Sequence, residues 1–411
     1  MLAQTSAPRR VEVSLAGPVR TVREALRIVA PHGTIVVSAG TYREPTIAVT
    51  KPVTIEGRGR AVLDGEGRRE IMTVRADDVT VRGLVFRGVG ASEIEDRAAL
   101  RVTESARCVV EGNAVEDGFF GIYLARVDGC VVRRNVLRAR HGTESASGNG
   151  VHLWTSRDVL VADNDVRGFR DGIYFEFVRG SLVERNTSEG NLRYGLHFMY
   201  SDSCRYVGNA FRRNGSGVAV MYTNGVEMTG NRFEDNWGAA AYGLLLKEIG
   251  GATLRGNRFA RNTVALLSDG TTRLAAEGNE FVGNGWAVQL QSNTQDARFV
   301  HNDFVANTFD VATNAGRATT VFAANHYDAY RGYDLDRDGT GDVPHRPVRL
   351  FSMVAARWEP ALVLLRSFFV ELLDAAERVV PALTPETLVD SAPAMRPQTR
   401  PRTIRSESIR D

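Results

Sequence analysis

The stretch Gly208-Asn-Ala-Phe-Arg-Arg-Asn214 returns as Gly230-Asn-Arg-Phe-Glu-Asp-Asn236, Gly256-Asn-Arg-Phe-Ala-Arg-Asn262 and Gly278-Asn-Glu-Phe-Val-Gly-Asn284. Working outward, the first asparagine of this unit recurs at positions 113, 135, 164, 186, 209, 231, 257, 279, 302 and 325. The gaps are 22, 29, 22, 23, 22, 26, 22, 23 and 23 residues. Once two insertions are set aside, the period is 22 to 23. Two positions after each asparagine stands Val115, Leu137, Val166, Ser188, Phe211, Phe233, Phe259, Phe281 or Phe304. A second asparagine file follows at 214, 236, 262, 284 and 307.

Each period holds short β-branched runs such as Val109-Val110 and Val131-Val132, with apolar and polar residues alternating. That is the period of a strand, and no repeat has room for a ten-residue helix as well. The pattern predicts an all-β chain, a right-handed single-stranded parallel β-helix with one coil per repeat. Coils stack about 4.8 Å apart, so ten of them make a rod on the order of 50 Å long. The asparagines then form amide ladders at the turns, and the phenylalanines form an interior stack.

The remainder divides around this rod. Residues 1–42 read as a cap and first strand: Thr21–Ala30 has apolar residues at 22, 25, 26 and 29, a helix able to shield the open end. The rod is assigned to 43–325, an Asp/Gly-rich loop segment to 326–350 and helices to 351–380, and 381–411 reads as a flexible, proline-punctuated tail. Apolar residues on the helices include Trp358, Leu362, Leu365, Phe368, Phe369 and Leu372. They either pack across the last coil or dock on a membrane-bound partner.

Composition narrows the function. The chain has 411 residues, 43% hydrophobic and 24% charged, with a net charge of +2. A near-neutral surface is not built around a phosphate backbone, so nucleic acid is not expected as a partner. Cys108, Cys130 and Cys204 are too few for a disulfide scaffold or a four-thiolate zinc site, and their file faces the core. No run of about 20 apolar residues spans a membrane. Met1-Leu-Ala-Gln4 lacks the basic start and apolar core of a leader, which leaves a cytosolic chain or an exported one without its leader.

One strand of each coil carries the candidate chemistry. It reads Gly150-Val-His-Leu-Trp154, Gly172-Ile-Tyr-Phe-Glu176, Gly195-Leu-His-Phe-Met199 and Gly217-Val-Ala-Val-Met221. If Val151, Ile173, Leu196 and Val218 face inward, two outward files result: Tyr123, His152, Tyr174, His197, Ala219, Leu245, and Ala125, Trp154, Glu176, Met199, Met221, Lys247. His197, Met199 and Met221 then converge, because residues two apart on a strand lie about 7 Å apart and neighbouring coils about 5 Å. Two thioethers and an imidazole suit Cu(I), with His152 a more distant ligand. Methionine as a filler of a covered apolar strip is the alternative. Both insertions, around residues 141–149 and 236–242, precede this strand and would wall a groove. Asp334, Asp336, Asp338 and Asp342 are spaced as the start of a calcium loop, although His345 replaces the closing glutamate.

Many β-helices process acidic polysaccharides, but a hydrolase needs paired carboxylates and the outward files offer only Glu176. A carbohydrate lyase, epimerase or hydrolase and a non-catalytic scaffold therefore both remain as readings. The segment His326-Tyr-Asp-Ala-Tyr-Arg-Gly-Tyr-Asp-Leu-Asp-Arg-Asp-Gly-Thr-Gly-Asp-Val-Pro344, then Phe351-Ser and Pro360-Ala-Leu-Val-Leu-Leu-Arg-Ser-Phe368, resembles the NosD family of periplasmic nitrous oxide reductase maturation factors. That resemblance implies a non-enzymatic role in the periplasm. It implies an ABC transporter permease and its ATPase as partners, with membrane contact only through the permease. It also implies copper taken from a chaperone lipoprotein and passed to apo nitrous oxide reductase. The resemblance supplies no ligand set, so the copper assignment rests on the strip.

Overall fold

The computed structural model describes residues 7–92, 94–140, 142–314, 319–365, 367–379 and 388–398. The chain winds about 14 turns of parallel β-solenoid. Three sheets wrap one interior. The first runs through Val109–Glu111, Val131–Arg133, Leu160–Ala162 and Leu182–Glu184. The second runs through Ala114–Gly118, Val136–Ala139, Asp165–Arg167 and Thr187–Glu189. The third runs through Phe120–Ala125, Val151–Trp154, Asp171–Glu176 and Tyr194–Met199. Like residues of successive turns sit in register, so an apolar position in one repeat becomes an apolar file through the core. Phe211, Phe233, Phe259, Phe281, Phe304 and Tyr327 stack in this way, with successive centroids 5.7, 4.6, 4.9, 5.0 and 4.9 Å apart.

The asparagines bear the turns between the first and second sheets. Each buried amide oxygen accepts from the backbone N–H and the side-chain N–H of the preceding ladder residue, as Asn231 does from Asn209 at 2.9 and 3.0 Å. Each amide nitrogen also donates to a carbonyl of the preceding coil, as Asn231 does to Tyr206 at 2.8 Å. The second ladder starts one coil earlier than the repeat alone indicates, at Asn191, which donates to Asn214.

The residue before each ladder asparagine adopts left-handed backbone. Glycine supplies it at 112, 208, 230, 256 and 278, whereas Arg134, Arg185 and Ala324 are held there at φ 53°, 51° and 53°. A β-carbon in this region costs about 1 kcal/mol or more, partly offset by the freedom glycine restores to the unfolded chain. Ala324→Gly is therefore expected to raise stability by about 0.5 kcal/mol. A higher urea midpoint is the result to look for, and an unchanged or lower one contradicts this source of strain.

Both ends depart from the sequence-based boundaries. The rod begins before residue 43: Arg10–Val13 already pairs in parallel with Thr34–Val37. The cap helix, Val22–Ile28, is closed by a Thr21/Glu24 capping box and buries Val22 and Ala25. The carboxylate of Glu44 accepts the N–H groups of Val22 and Arg23, both at 3.0 Å, where the helix dipole favours an anion. At the other end, the expected tail over 381–411 contains an ordered piece. Residues 388–398 return to the rod, where Asp390 pairs with Phe322 and Ala394 with His326. Fully buried Asp390 terminates the asparagine ladder, accepting from the Asn325 backbone and amide at 3.0 and 2.9 Å. A carboxylate fits there because the last rung has donors to receive and no further rung to supply. Residues 1–6 of the expected cap and 381–387 and 399–411 of the expected tail lie outside the described residues.

The helices expected over 351–380 form three short pieces. Leu350–Arg357 is α-helical, Glu359–Leu364 is a 3-10 turn, and Phe368–Val379 is α-helical. This segment packs on the last coil: Val348 pairs with Val311, and Ser352 Oγ donates to the Val311 carbonyl at 3.3 Å. Phe351, Ala355 and Ala361 pack on the outer flank of the third sheet against Val264, Trp286, Phe309 and Ala312.

Candidate metal centre

Parallel pairing sets the outward files of the third sheet. Tyr123, His152, Tyr174, His197, Ala219 and Leu245 are successive partners, as are Ala125, Trp154, Glu176, Met199, Met221 and Lys247. The intervening Leu153, Phe175, Phe198, Val220 and Leu246 are buried in the core. His197, Met199 and Met221 thus occupy the same outer face on two adjacent coils, and Met199 is the direct register partner of Met221.

The first file is not an open solvent strip. His152 and His197 are each 7% exposed, and Ala219 is fully buried. The rings cover one another: Tyr123 to His152 is 4.2 Å between centroids, His152 to Tyr174 4.7 Å, and Tyr174 to His197 5.1 Å. Tyr194 closes on His197 from its own strand at 4.9 Å. The insertions add a wall. Asn149 meets His152 Nδ1 at 3.1 Å, and Ser216 holds the second insertion by donating to the Ala240 carbonyl at 3.3 Å and accepting the Tyr242 N–H at 3.2 Å. His141, at the start of the first insertion, lies outside the described residues. Met199 and Met221 remain half-buried at the rim.

His197 is held at one nitrogen only. Its Nδ1 lies 3.4 Å from Asp171 Oδ2, while its buried Nε2 has no partner. Asp171 is 0% exposed and bound in a bidentate pair by Arg193, Nε to Oδ1 at 2.9 Å and Nη2 to Oδ2 at 2.5 Å. Burial acts to raise the Asp171 pKa, but the bonds from Arg193 and His197 outweigh it and hold the carboxyl below its ordinary range. A buried orphan nitrogen costs about 1–3 kcal/mol unless something binds it. It is a donor atom of the right chemistry for a soft cation.

The structure separates His152 from this group by the Tyr174 ring. Burial, with Arg170 and Arg101 nearby, pushes its pKa down to about 3 from 6.5. Its neutral form is thus favoured in the fold, while the unfolded chain takes up a proton below pH 6.5. Stability falls as pH drops through that value, by about 1.4 kcal/mol per unit until the folded pKa is reached. His152→Phe keeps a ring between Tyr123 and Tyr174 and is expected to flatten the decline between about pH 6 and pH 4, measured by urea unfolding across pH. An unchanged slope contradicts the assignment to His152.

Asp171 and Arg193 escaped the repeat pattern because they stand at strand starts, where Asp171 pairs with Tyr194. A further feature flanks the strip. Phe177, Tyr200 and Tyr222 stack on the surface with centroids 5.3 and 5.2 Å apart, all in left-handed backbone. Tyr200 and Tyr222 directly follow the two methionines, a signal present in the sequence.

The remaining candidates fare differently. Asp334, Asp336 and Asp338 bring ligand atoms within 4.8 Å of one another. Asp342 is not in that group; its carboxylate accepts the Leu335 N–H. His345, which replaces the closing glutamate, is half-buried with its ring 4.3 Å from that of Tyr327. All three cysteines are free and buried. On the helices, Trp358, Leu362, Phe368, Phe369 and Leu372 are exposed, Phe368 by 77%. Leu365 is not on that face: it is half-buried and packs with the cluster under the helices.

The fold defines a class first: a parallel β-solenoid with capped ends and one aromatic, sulfur-bearing strip. The model of the family described as "Periplasmic copper-binding protein (NosD)" matches residues 137–331, a span that contains His152, His197, Met199 and Met221. A protein of Pseudomonas aeruginosa named "Probable ABC transporter binding protein NosD" is 31% identical over 385 residues, 89% of each chain. Its namesake from Stutzerimonas stutzeri is 26% identical over 378 residues, 87% of this chain and 86% of that one. The chain belongs to the NosD family. Among solved structures, the A-module of the Azotobacter vinelandii mannuronan C-5 epimerase AlgE6 is similar with TM-score 0.60 and 15% identity, over 75% of this chain and 94% of that one. The catalytic unit of a Streptomyces thermodiastaticus alpha-1,3-glucanase is similar with TM-score 0.59 and 14% identity, over 78% and 69%. At such identities these two likenesses show the fold alone.

Proposed function

We propose that the protein is a periplasmic, non-catalytic copper carrier that works with an ABC transporter in the maturation of nitrous oxide reductase. The observation that carries this reading is the unpartnered, buried Nε2 of His197 on the same outer face as the register pair Met199 and Met221, inside the segment matched by the copper-binding family model. Cu(I) is the cargo. One imidazole and two thioethers hold a soft ion with few ligands, so a competing ligand displaces it by exchange without a large barrier. The half-buried position of the methionines favours such exchange, since an incoming donor reaches the sulfurs from the rim.

The carboxylates of this face support carriage over sugar chemistry. Asp171 is tied to Arg193, and Glu176 accepts the Tyr174 hydroxyl at 3.3 Å. Neither is a free proton donor for glycoside cleavage. The source of the cargo is a copper chaperone lipoprotein and its recipient the apo-reductase. The permease and its ATPase supply the motion that alternates between them.

Docking on the permease is assigned to the exposed apolar edge of the helices, Trp358, Leu362, Phe368, Phe369 and Leu372. Large exposed apolar patches on a soluble surface mark interaction sites. Phe368→Asp/Phe369→Asp is expected to abolish co-purification of the permease and ATPase from a detergent extract while shifting stability by less than about 1 kcal/mol. Undiminished recovery of the transporter, with copper still carried by the chain, contradicts the docking assignment.

A further inference from the structure

The two neighbours of His197 Nδ1 make opposite demands on the imidazole. The Asp171 carboxylate, 3.4 Å away, can only accept a hydrogen bond from an Nδ1–H. The Arg193 Nη2, also 3.4 Å away, donates one to a bare Nδ1. The first arrangement leaves a lone pair on the buried Nε2, and the second leaves an N–H there with no acceptor.

Two arguments decide between them. Arg193 aims its fork at Asp171, at 2.9 and 2.5 Å, and its 3.4 Å contact with the ring is the longer one. Buried N–H groups without acceptors are also rarer than under-used acceptors.

We infer that the buried Asp171–Arg193 pair fixes His197 as the Nδ1–H tautomer, so that the site offers a cation the Nε2 lone pair. Asp171 is thus a positioning residue of the centre, and Arg193 holds Asp171 ionised and oriented. The assignment deepens the copper reading and rests on it for its purpose, though not for its geometry. Carboxylate-supported imidazoles are the usual arrangement for histidine ligands, and removing the support typically lowers metal affinity 10–100-fold.

The test uses the full chain labelled with 15N-histidine and free of metal. Long-range proton–nitrogen NMR spectra are expected to place the proton of His197 on Nδ1 and leave Nε2 bare. Asp171→Asn presents an amide donor to the ring and is expected to move the proton to Nε2. Cu(I) affinity, measured by competition with a chromogenic chelator, should then fall at least tenfold. If the unpaired arginine prevents that variant from folding, Asp171→Asn/Arg193→Gln removes both charges and is expected to give the same transfer. A wild-type spectrum with the proton on Nε2, or variants that leave the tautomer as it was, overturns the inference. Wild-type protein with the expected tautomer but no measurable Cu(I) binding supports the positioning and instead removes the proposed cargo.

Discussion

Asn231→Ala is expected to destabilise the rod by about 4 kcal/mol, read as a large fall in the urea midpoint. The side chain occupies a fully buried position where four hydrogen bonds meet. Truncation strips the acceptor from the Asn209 backbone N–H and amide. It strips the donor from the Tyr206 carbonyl and one of two donors from Asn257. Each buried group left unpaired costs about 1–3 kcal/mol, and three or more are created at once. Because coils interact only with their neighbours, the loss also divides the rod into two halves. Asp390→Asn applies the converse argument at the end of the ladder. There Asp390 receives Ala324, Asn325 and Ala392 N–H groups and offers none, so an amide aims its own hydrogens at donors. A stability loss below about 1 kcal/mol for Asn231→Ala refutes the ladder as a principal source of stability.

Replacing both thioethers is expected to have the largest effect on cargo binding. Met199→Ala/Met221→Ala should lower Cu(I) affinity by 100-fold or more, since two of the three proposed ligands vanish and the remaining imidazole is not selective for a soft ion. The fold should tolerate the change. Both residues are half-buried on the outer face, and neither contributes to the core cluster. His197→Ala should lower affinity to a comparable degree, while His152→Phe leaves it near the wild-type value, because the Tyr174 ring stands between His152 and the group. Affinity that depends on His152 and ignores Met199 and Met221 contradicts the proposed ligand set.

Much of this arrangement is legible in the sequence because a solenoid converts spacing into neighbourhood. The Asn209, Asn231 and Asn257 recurrence gives the period, and the alternation in Gly195-Leu-His-Phe-Met199 gives the face. The files of His197 and Met199 follow from those two facts alone. Burial does not follow in that way. Whether the His197 file meets solvent depends on rings from other coils and on two insertions whose paths carry no period. Asp171 and Arg193 are hidden for a related reason. They sit where turn meets strand, so their convergence on His197 depends on local backbone and not on the repeat. The C-terminal end was least legible: Asp390 completes a ladder that begins at Asn113, across a helical segment that interrupts the pattern. A single residue of matching chemistry, without its repeat, carries no sequence signal.

In the proposed centre, Cu(I) is held on the outer face of the third sheet by one nitrogen and two sulfurs. X-ray absorption at the copper edge of the Cu(I)-loaded full chain measures this directly. The expected result is a low-coordinate ion with two sulfur scatterers and one imidazole, and loss of the sulfur contribution in Met199→Ala/Met221→Ala. A copper environment made only of nitrogen and oxygen, or sulfur scattering that survives in that variant, contradicts it.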